Sequence, residues 1–137
     1  MNQKLVIIRG LPGSGKSTIA KSDPYKGFKH FEADMYFVND KGEYVFDKAK
    51  ISKAHKWCQD SCRTALAEGH SVVVSNTFCR SWELVPYVLM ARDLDIPIEV
   101  VEAKGEYKNI HDCPKETIDR MKANWEAYEP PPRNTPA

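Results

Sequence analysis

The chain has 137 residues and a formal net charge of +1, with 42% hydrophobic and 28% charged residues. A single domain of this length buries about two thirds of its unfolded surface, enough for a real core. The near-neutral balance excludes a global field that would draw the protein to nucleic acid or membrane, so any nucleic-acid contact must come from a local patch.

The first apolar run, Leu5-Val6-Ile7-Ile8, predicts a strand over Lys4–Arg9. It is strand-sized, as are the other apolar runs, so none spans a membrane. Met1-Asn2-Gln3-Lys4 leads straight into it, with no leader pattern. Cysteines 58, 62, 79 and 113 form no CxxC pair and read as free thiols. The setting expected from these features is cytoplasmic, with no membrane partner.

After the strand comes Gly10-Leu11-Pro12-Gly13-Ser14-Gly15-Lys16-Ser17, followed by Thr18-Ile19-Ala20-Lys21, which can open a helix. Strand, glycine-rich loop and helix in that order make a phosphate-binding loop. A polyphosphate needs several backbone N–H donors aimed inward at close range. Gly10, Gly13 and Gly15 permit the tight path because they carry no Cβ. The helix start adds unpaired N–H groups. Lys16 can reach the β- and γ-phosphates, and the Ser17 hydroxyl can ligate Mg²⁺. The expected ligand is a nucleoside triphosphate, ATP or GTP, with residues 10 and 12–18 around it: Gly10, Pro12, Gly13, Ser14, Gly15, Lys16, Ser17 and Thr18.

Helix one is short, because Ser22-Asp23-Pro24 breaks it. Phe28–Glu32 is a second strand, leading to Ala33-Asp34. Asn39-Asp40-Lys41-Gly42 is a turn between aromatic segments. A long helix over Asp47–Glu68 carries Ile51, Ala54, Cys58, Cys62, Ala65 and Leu66 on one face, and Gly69 stops it. Ser71–Ser75 is a buried strand of the parallel-sheet kind. Ser81 is expected to cap a helix over Trp82–Leu94. Ile96–Glu102 is the next strand, and Lys104–Cys113 is polar and irregular enough for a small lid. A last helix starts near Pro114, with Ile118, Met121, Trp125 and Tyr128 on one stripe. Glu129-Pro130-Pro131-Pro132-Arg133 cannot continue it.

Alternating strands and helices imply an α/β fold with a mostly parallel sheet, helices on both faces and the ligand at the carboxyl ends of the strands. Three points reach that edge: the phosphate loop, Asp34, and Ser75-Asn76-Thr77. Phosphoryl transfer needs a nucleotide clamp, a metal, a base beside the acceptor hydroxyl and positive charge on the moving group. Asp34 is the preferred base. Glu32 is its rival, two positions back and therefore on the same face if the strand continues. Asn76 and Thr77 are candidates to bond the acceptor or a metal-bound water. No Asp or Glu follows Val74 directly, so the acid usual after this strand is missing. Lys104, Lys108, His111, Lys115 and Arg120 are the cations in and around the lid. Lys48, Lys50, Lys53 and Lys56 form a second basic run, either a solvated face or a backbone contact for nucleic acid.

An ordered set of segments carries a family likeness: Arg9–Thr18, Glu32-Ala33-Asp34-Met35-Tyr36-Phe37, Gly42–Asp47, Ala54-His55-Lys56-Trp57, Asn76-Thr77 with Trp82-Glu83, Asn109-Ile110-His111 and Ile118–Met121. The chain resembles the P-loop kinase-like domain of an animal ubiquitin-ligase-binding protein, a family often labelled AAA ATPase. More distantly, it is similar to the kinase domain of phage polynucleotide kinase. The resemblance covers the chain to about Tyr128. It implies a three-layer P-loop NTPase sandwich over 1–128 with a proline-rich tail over 129–137. It also implies a kinase that uses ATP or GTP with Mg²⁺ to phosphorylate the 5′-hydroxyl of DNA or RNA. Asp34 matches the base of those enzymes, Lys16 and Ser17 their phosphate and metal residues, and Lys108-Asn109 falls where relatives carry arginine before asparagine. Phe37 stands where the phage enzyme has an arginine for the acceptor phosphate, and Met35 and Ser75 replace acids of the closer relatives. A small hydroxyl metabolite as acceptor, a weak ATPase, and a nucleotide-gated binding module that transfers nothing are the competing readings.

Overall fold

A computed structural model of the protein describes residues 3–11, 13–104 and 115–126. Four strands form one parallel sheet in the order β2-β3-β1-β4: β1 over Leu5–Arg9, β2 over Lys29–Phe31, β3 over Val72–Asn76 and β4 over Ile98–Glu102. The central strands β1 and β3 are buried along their whole length, which is why they read as unbroken apolar runs rather than alternating ones. Their register pairs Leu5 with Val72 and Arg9 with Asn76, so both end at the same edge. β4 begins only at Ile98, two residues later than the sequence pattern suggests, because Asp95 turns the chain in the left-handed region (φ 55°) and Pro97 has no N–H for the ladder.

Helices cover both faces. Helix α1, Lys16–Ala20, lies on one side, where Ala20 packs with Val6, Ile8, Val73 and Ala103. The opposite face carries α2, Ile51–Ala67, and α3, Val85–Asp93. There Ala54, Cys58, Cys62, Leu66, Tyr87 and Met90 close over Leu5, Ile7, Val72 and Val74. The apolar stripe expected on α2 is buried from Ala54 to Leu66, whereas Ile51, at the start of the helix, is exposed. Asp47 caps the 3-10 turn Lys48–Lys50 ahead of it by accepting from the Ala49 N–H at 3.0 Å. The fourth helix, α4, spans Lys115–Ala123.

The chain leaves β1 toward one face of the sheet and leaves β3 toward the other. The carboxyl ends of these neighbouring strands therefore splay into a crevice, the place where open α/β sheets bind ligands. The Gly10 N–H donates to the Thr77 carbonyl at 3.2 Å and ties the two loops together at its floor.

Three local expectations need correction. Ser81 is not a cap: Arg80 holds that position, with its N–H donating to the Glu83 carboxylate at 3.2 Å, while the Ser81 N–H donates to Glu126 at 2.7 Å. The helix after it divides into a 3-10 turn, Ser81–Leu84, and α3, with Pro86 in the first turn of α3, where its missing N–H costs nothing. Trp125 does not continue the stripe of α4, which ends at Ala123; its ring instead covers the Arg9 guanidinium, 4.1 Å from carbon to centroid. Of the lid expected over Lys104–Cys113, residues 105–113, Lys108 among them, lie outside the described residues, as does the tail over 129–137.

Candidate active site

Arg9 closes β1 and is almost wholly buried. Its guanidinium donates to the Phe78 carbonyl at 2.6 and 3.1 Å, to that of Cys79 at 3.3 Å and to that of Glu126 at 2.6 Å. Burial lowers its pKa, and the carboxylates of Glu102, Glu83 and Glu126 pull it back. The cation thereby fixes the loop after β3, where Phe78 sits buried at a left-handed φ of 50°.

The glycine-rich loop follows at once. Gly13 and Gly15 take φ values of 80° and 92°, conformations that L side chains rarely adopt. Gly10 is constrained by space instead: a Cβ there would meet the Ser14 hydroxyl and lie 2.9 Å from the Ala103 carbonyl. The Ser14 Oγ is buried without a hydrogen-bond partner, an orphaned polar atom in a loop whose expected ligand brings acceptor oxygens. Lys16 donates to the Leu11 carbonyl at 3.1 Å. Burial lowers the pKa of its amine, against the pull of Glu32 and Asp34. Of the two, Glu32 reaches the loop directly, accepting from Ser17 next to Lys16. Pro12, the remaining position singled out in the loop, lies outside the described residues.

The two carboxylates are positioned by different routes. β2 ends at Phe31, and a 3-10 turn spans Ala33–Phe37, so strand alternation does not reach Asp34. Glu32 is the last extended residue, and Asp34 sits in the first turn, where the Tyr44 hydroxyl donates to it at 3.2 Å. Asn76 holds this corner in place: its Oδ1 accepts from the Ala33 N–H at 2.8 Å and its amide donates to the Cys58 sulfur at 3.7 Å. Its side chain is engaged in the fold, while Thr77 contributes its carbonyl to the Gly10 contact.

Sequence reasoning did not foresee the surroundings of Glu32. One oxygen of its carboxylate accepts from Ser17 of the glycine-rich loop and from Ser75 of β3 at 2.7 Å, and lies 3.2 Å from the His30 ring nitrogen. His30 is also 2.6 Å from the Ser75 hydroxyl. With Ser75 donating to Glu32, the network assigns the proton between the other two to His30 Nε2. Burial by itself would raise the Glu32 pKa, but hydrogen bonds from His30, Ser17 and Ser75 outweigh it and bring it down to about 2. No sequence signal pointed to this network: it is the parallel pairing of Phe31 with Val74 that makes Glu32 and Ser75 neighbours. Ser17, the residue that the loop pattern offers to Mg²⁺, is thus a hard oxygen donor beside an ionised carboxylate, a setting that suits such a cation.

An exposed aromatic group adjoins Asp34. Tyr44 and Phe46 stack at 6.5 Å with planes 18° apart, and Phe37 packs beneath them. The turn before them is set by the Asn39 side chain, which accepts from the Lys41 and Glu43 N–H groups, and by Gly42 at φ 79°.

Comparison with known proteins places this geometry in a family. Residues 5–105 match the profile of an AAA domain. Human NEDD4-binding protein 2 is 31% identical over 137 residues, an alignment covering 90% of this chain and 8% of that protein. The fold is similar to that of a chain in the Pnkp1/Rnl/Hen1 complex, with TM-score 0.59 and 21% identity over 87% of this chain and 38% of the other. It is also similar to the APS kinase CysC of Mycobacterium tuberculosis, with TM-score 0.56 and 18% identity over 90% and 96% of the two chains. The present chain thus spans only a small part of the human relative and under half of the first structural one. By the extent of the profile match, it belongs to this AAA-domain family and carries its P-loop kinase-like fold.

Proposed function

We propose that the protein is a kinase that transfers the γ-phosphoryl group of ATP or GTP to a hydroxyl, and that the hydroxyl is the 5′-OH of a DNA or RNA strand. The observation that supports this reading is a carboxylate turn set against the glycine-rich loop: Glu32 accepts from Ser17, the residue after Lys16, and Asp34 follows two positions later in the turn Ala33–Phe37. In the proposed reaction the acceptor oxygen forms a bond to the γ-phosphorus as the bond to the β–γ bridging oxygen breaks. Asp34 takes the acceptor proton, and the nucleoside diphosphate leaves with the electron pair. The loop from Gly10 to Thr18 would hold the phosphates, and Lys16 would balance charge on the transferred group. Lys108 would add positive charge from the lid. Bound Mg²⁺ would supply further neutralisation of the phosphate oxygens, held from the protein side by Ser17.

Two features favour a strand end over a small metabolite. The stacked rings of Tyr44 and Phe46 adjoin Asp34 and are solvent-accessible, as a nucleobase platform must be. The exposed lysines 48 and 50 follow within a few residues, as contacts for a phosphate backbone would.

Incubation with γ-labelled ATP, Mg²⁺ and a 5′-OH oligonucleotide tests the proposal. Label is expected on the oligonucleotide, and Asp34→Asn should keep ATP affinity while losing about 100-fold or more in transfer rate. Equal transfer by that variant removes Asp34 from the role. Tight ATP binding with no transfer to any hydroxyl favours a nucleotide-gated binding module, the reading that Ser75 in place of an acid would suit.

A further inference from the structure

We propose that Glu32, directly after β2, is the acid of the magnesium site, replacing the carboxylate that β3 lacks. In P-loop NTPases the loop Ser or Thr and an acid at the end of a neighbouring strand hold the ion together. Here the residue after Val74 is Ser75, a hydroxyl that cannot neutralise a divalent cation. The Glu32 carboxylate fills the deficit from one strand further out. The parallel register places it beside Ser75, and the Ser17 hydroxyl donates to it directly. The acid therefore touches the one loop residue whose hydroxyl is offered to the metal. Glu32 is also positioned by more than Ser17. Ser75 donates to it at 2.7 Å and His30 lies 3.2 Å away, an outer ring of the kind that orients carboxylates at metal sites. A strand exchange of this sort keeps the charge at the seam while changing which residue supplies it. Asp34, which accepts from the Tyr44 hydroxyl, keeps its separate proposed role toward the acceptor.

The assignment rests on the nucleotide reading above, and the experiment separates the two. ATP affinity is measured by calorimetry with Mg²⁺ and with EDTA, and Mn²⁺ affinity in the presence of ATP by electron paramagnetic resonance. Wild type, Glu32→Gln and the double variant Glu32→Ser/Ser75→Asp are compared. Glu32→Gln should bind metal-free ATP as wild type does and lose about 10- to 100-fold in Mn²⁺ affinity. The double variant, which moves the acid back to β3, should recover most of that loss. Wild-type Mn²⁺ affinity in Glu32→Gln overturns the assignment. So does a loss that the relocated acid leaves unrepaired in a protein with an unchanged circular dichroism spectrum. Wild-type protein that binds no ATP under either condition sinks the nucleotide reading, and this assignment with it.

Discussion

The Ser75 hydroxyl donates to the Glu32 carboxylate at 2.7 Å, across the seam between β3 and β2. Burial alone would raise the pKa of this carboxylate, but hydrogen bonds from His30, Ser17 and Ser75 outweigh it and bring the folded value down to about 2, against an ordinary 4.5. The folded value is the lower one. The interaction therefore contributes fully above about pH 4.5 and is lost as the pH falls toward 2. A difference of about 2.5 units is worth roughly 3 kcal/mol. Urea midpoints measured without metal should be level near neutrality and fall steeply below pH 4.5 in wild type. Glu32→Gln should start lower and decline less. A wild-type acid limb no steeper than that of Glu32→Gln would show that the network does not stabilise the fold.

Gly10 makes a separate prediction about the loop. A Cβ at this position would crowd the Ser14 hydroxyl and the Ala103 backbone, and a backbone carbonyl cannot swing aside as a long side chain does. Gly10→Ala should destabilise the protein by about 1–3 kcal/mol through overpacking. The urea midpoint should fall with the slope unchanged. A midpoint unchanged from wild type would mean that the loop after β4 yields freely.

Arg9 links β1, the loop after β3 and the segment after α4 through its bonds to the carbonyls of Phe78, Cys79 and Glu126. Removing it strands those acceptors and uncovers the Trp125 ring. Arg9→Ala should cost about 3 kcal/mol, within the range for losing several charge-assisted bonds at a buried site. It should also shift the fluorescence of Trp125, measured against Trp125→Phe to isolate that ring. A stable variant with an unshifted spectrum would show that this cation is dispensable.

The parts of the fold legible in sequence are those set by local chemistry. Leu5–Ile8 and Val72–Val74 are buried on both faces and so carry no alternation. The glycines at 13 and 15 declare positive φ. The apolar stripe from Ala54 to Leu66 declares the covered face of α2. The illegible parts depend on which strands become neighbours. Glu32 and Ser75 are 43 residues apart, and only the order β2-β3-β1-β4 brings them together. The same holds for Arg9 and Glu126, 117 residues apart. The structural bonds of Asn76, at the end of β3, are likewise illegible, because its amide meets Ala33 and Cys58 from two other elements.

The stacked pair Tyr44 and Phe46 separates the strand-end acceptor from a small metabolite. Phe46 is 52% exposed, so truncating it removes little buried area, and Phe46→Ala should change stability by less than about 1 kcal/mol. A nucleobase laid on that ring gains about 1–3 kcal/mol from stacking, equivalent to roughly 5- to 150-fold in affinity. Phe46→Ala should therefore raise KM for a 5′-OH oligonucleotide by a factor in that range, with KM for ATP unchanged. Phe46→Trp should preserve or lower KM, since indole offers a wider stacking face. Tyr44→Phe should act differently, because it deletes the hydroxyl that donates to Asp34 while keeping the ring. Its effect belongs in kcat, with KM for the oligonucleotide unchanged, because the proposed base loses a donor while the ring stays. An unchanged oligonucleotide KM in Phe46→Ala would remove the ring from the acceptor path and return the choice to a small hydroxyl substrate held by Asp34 alone.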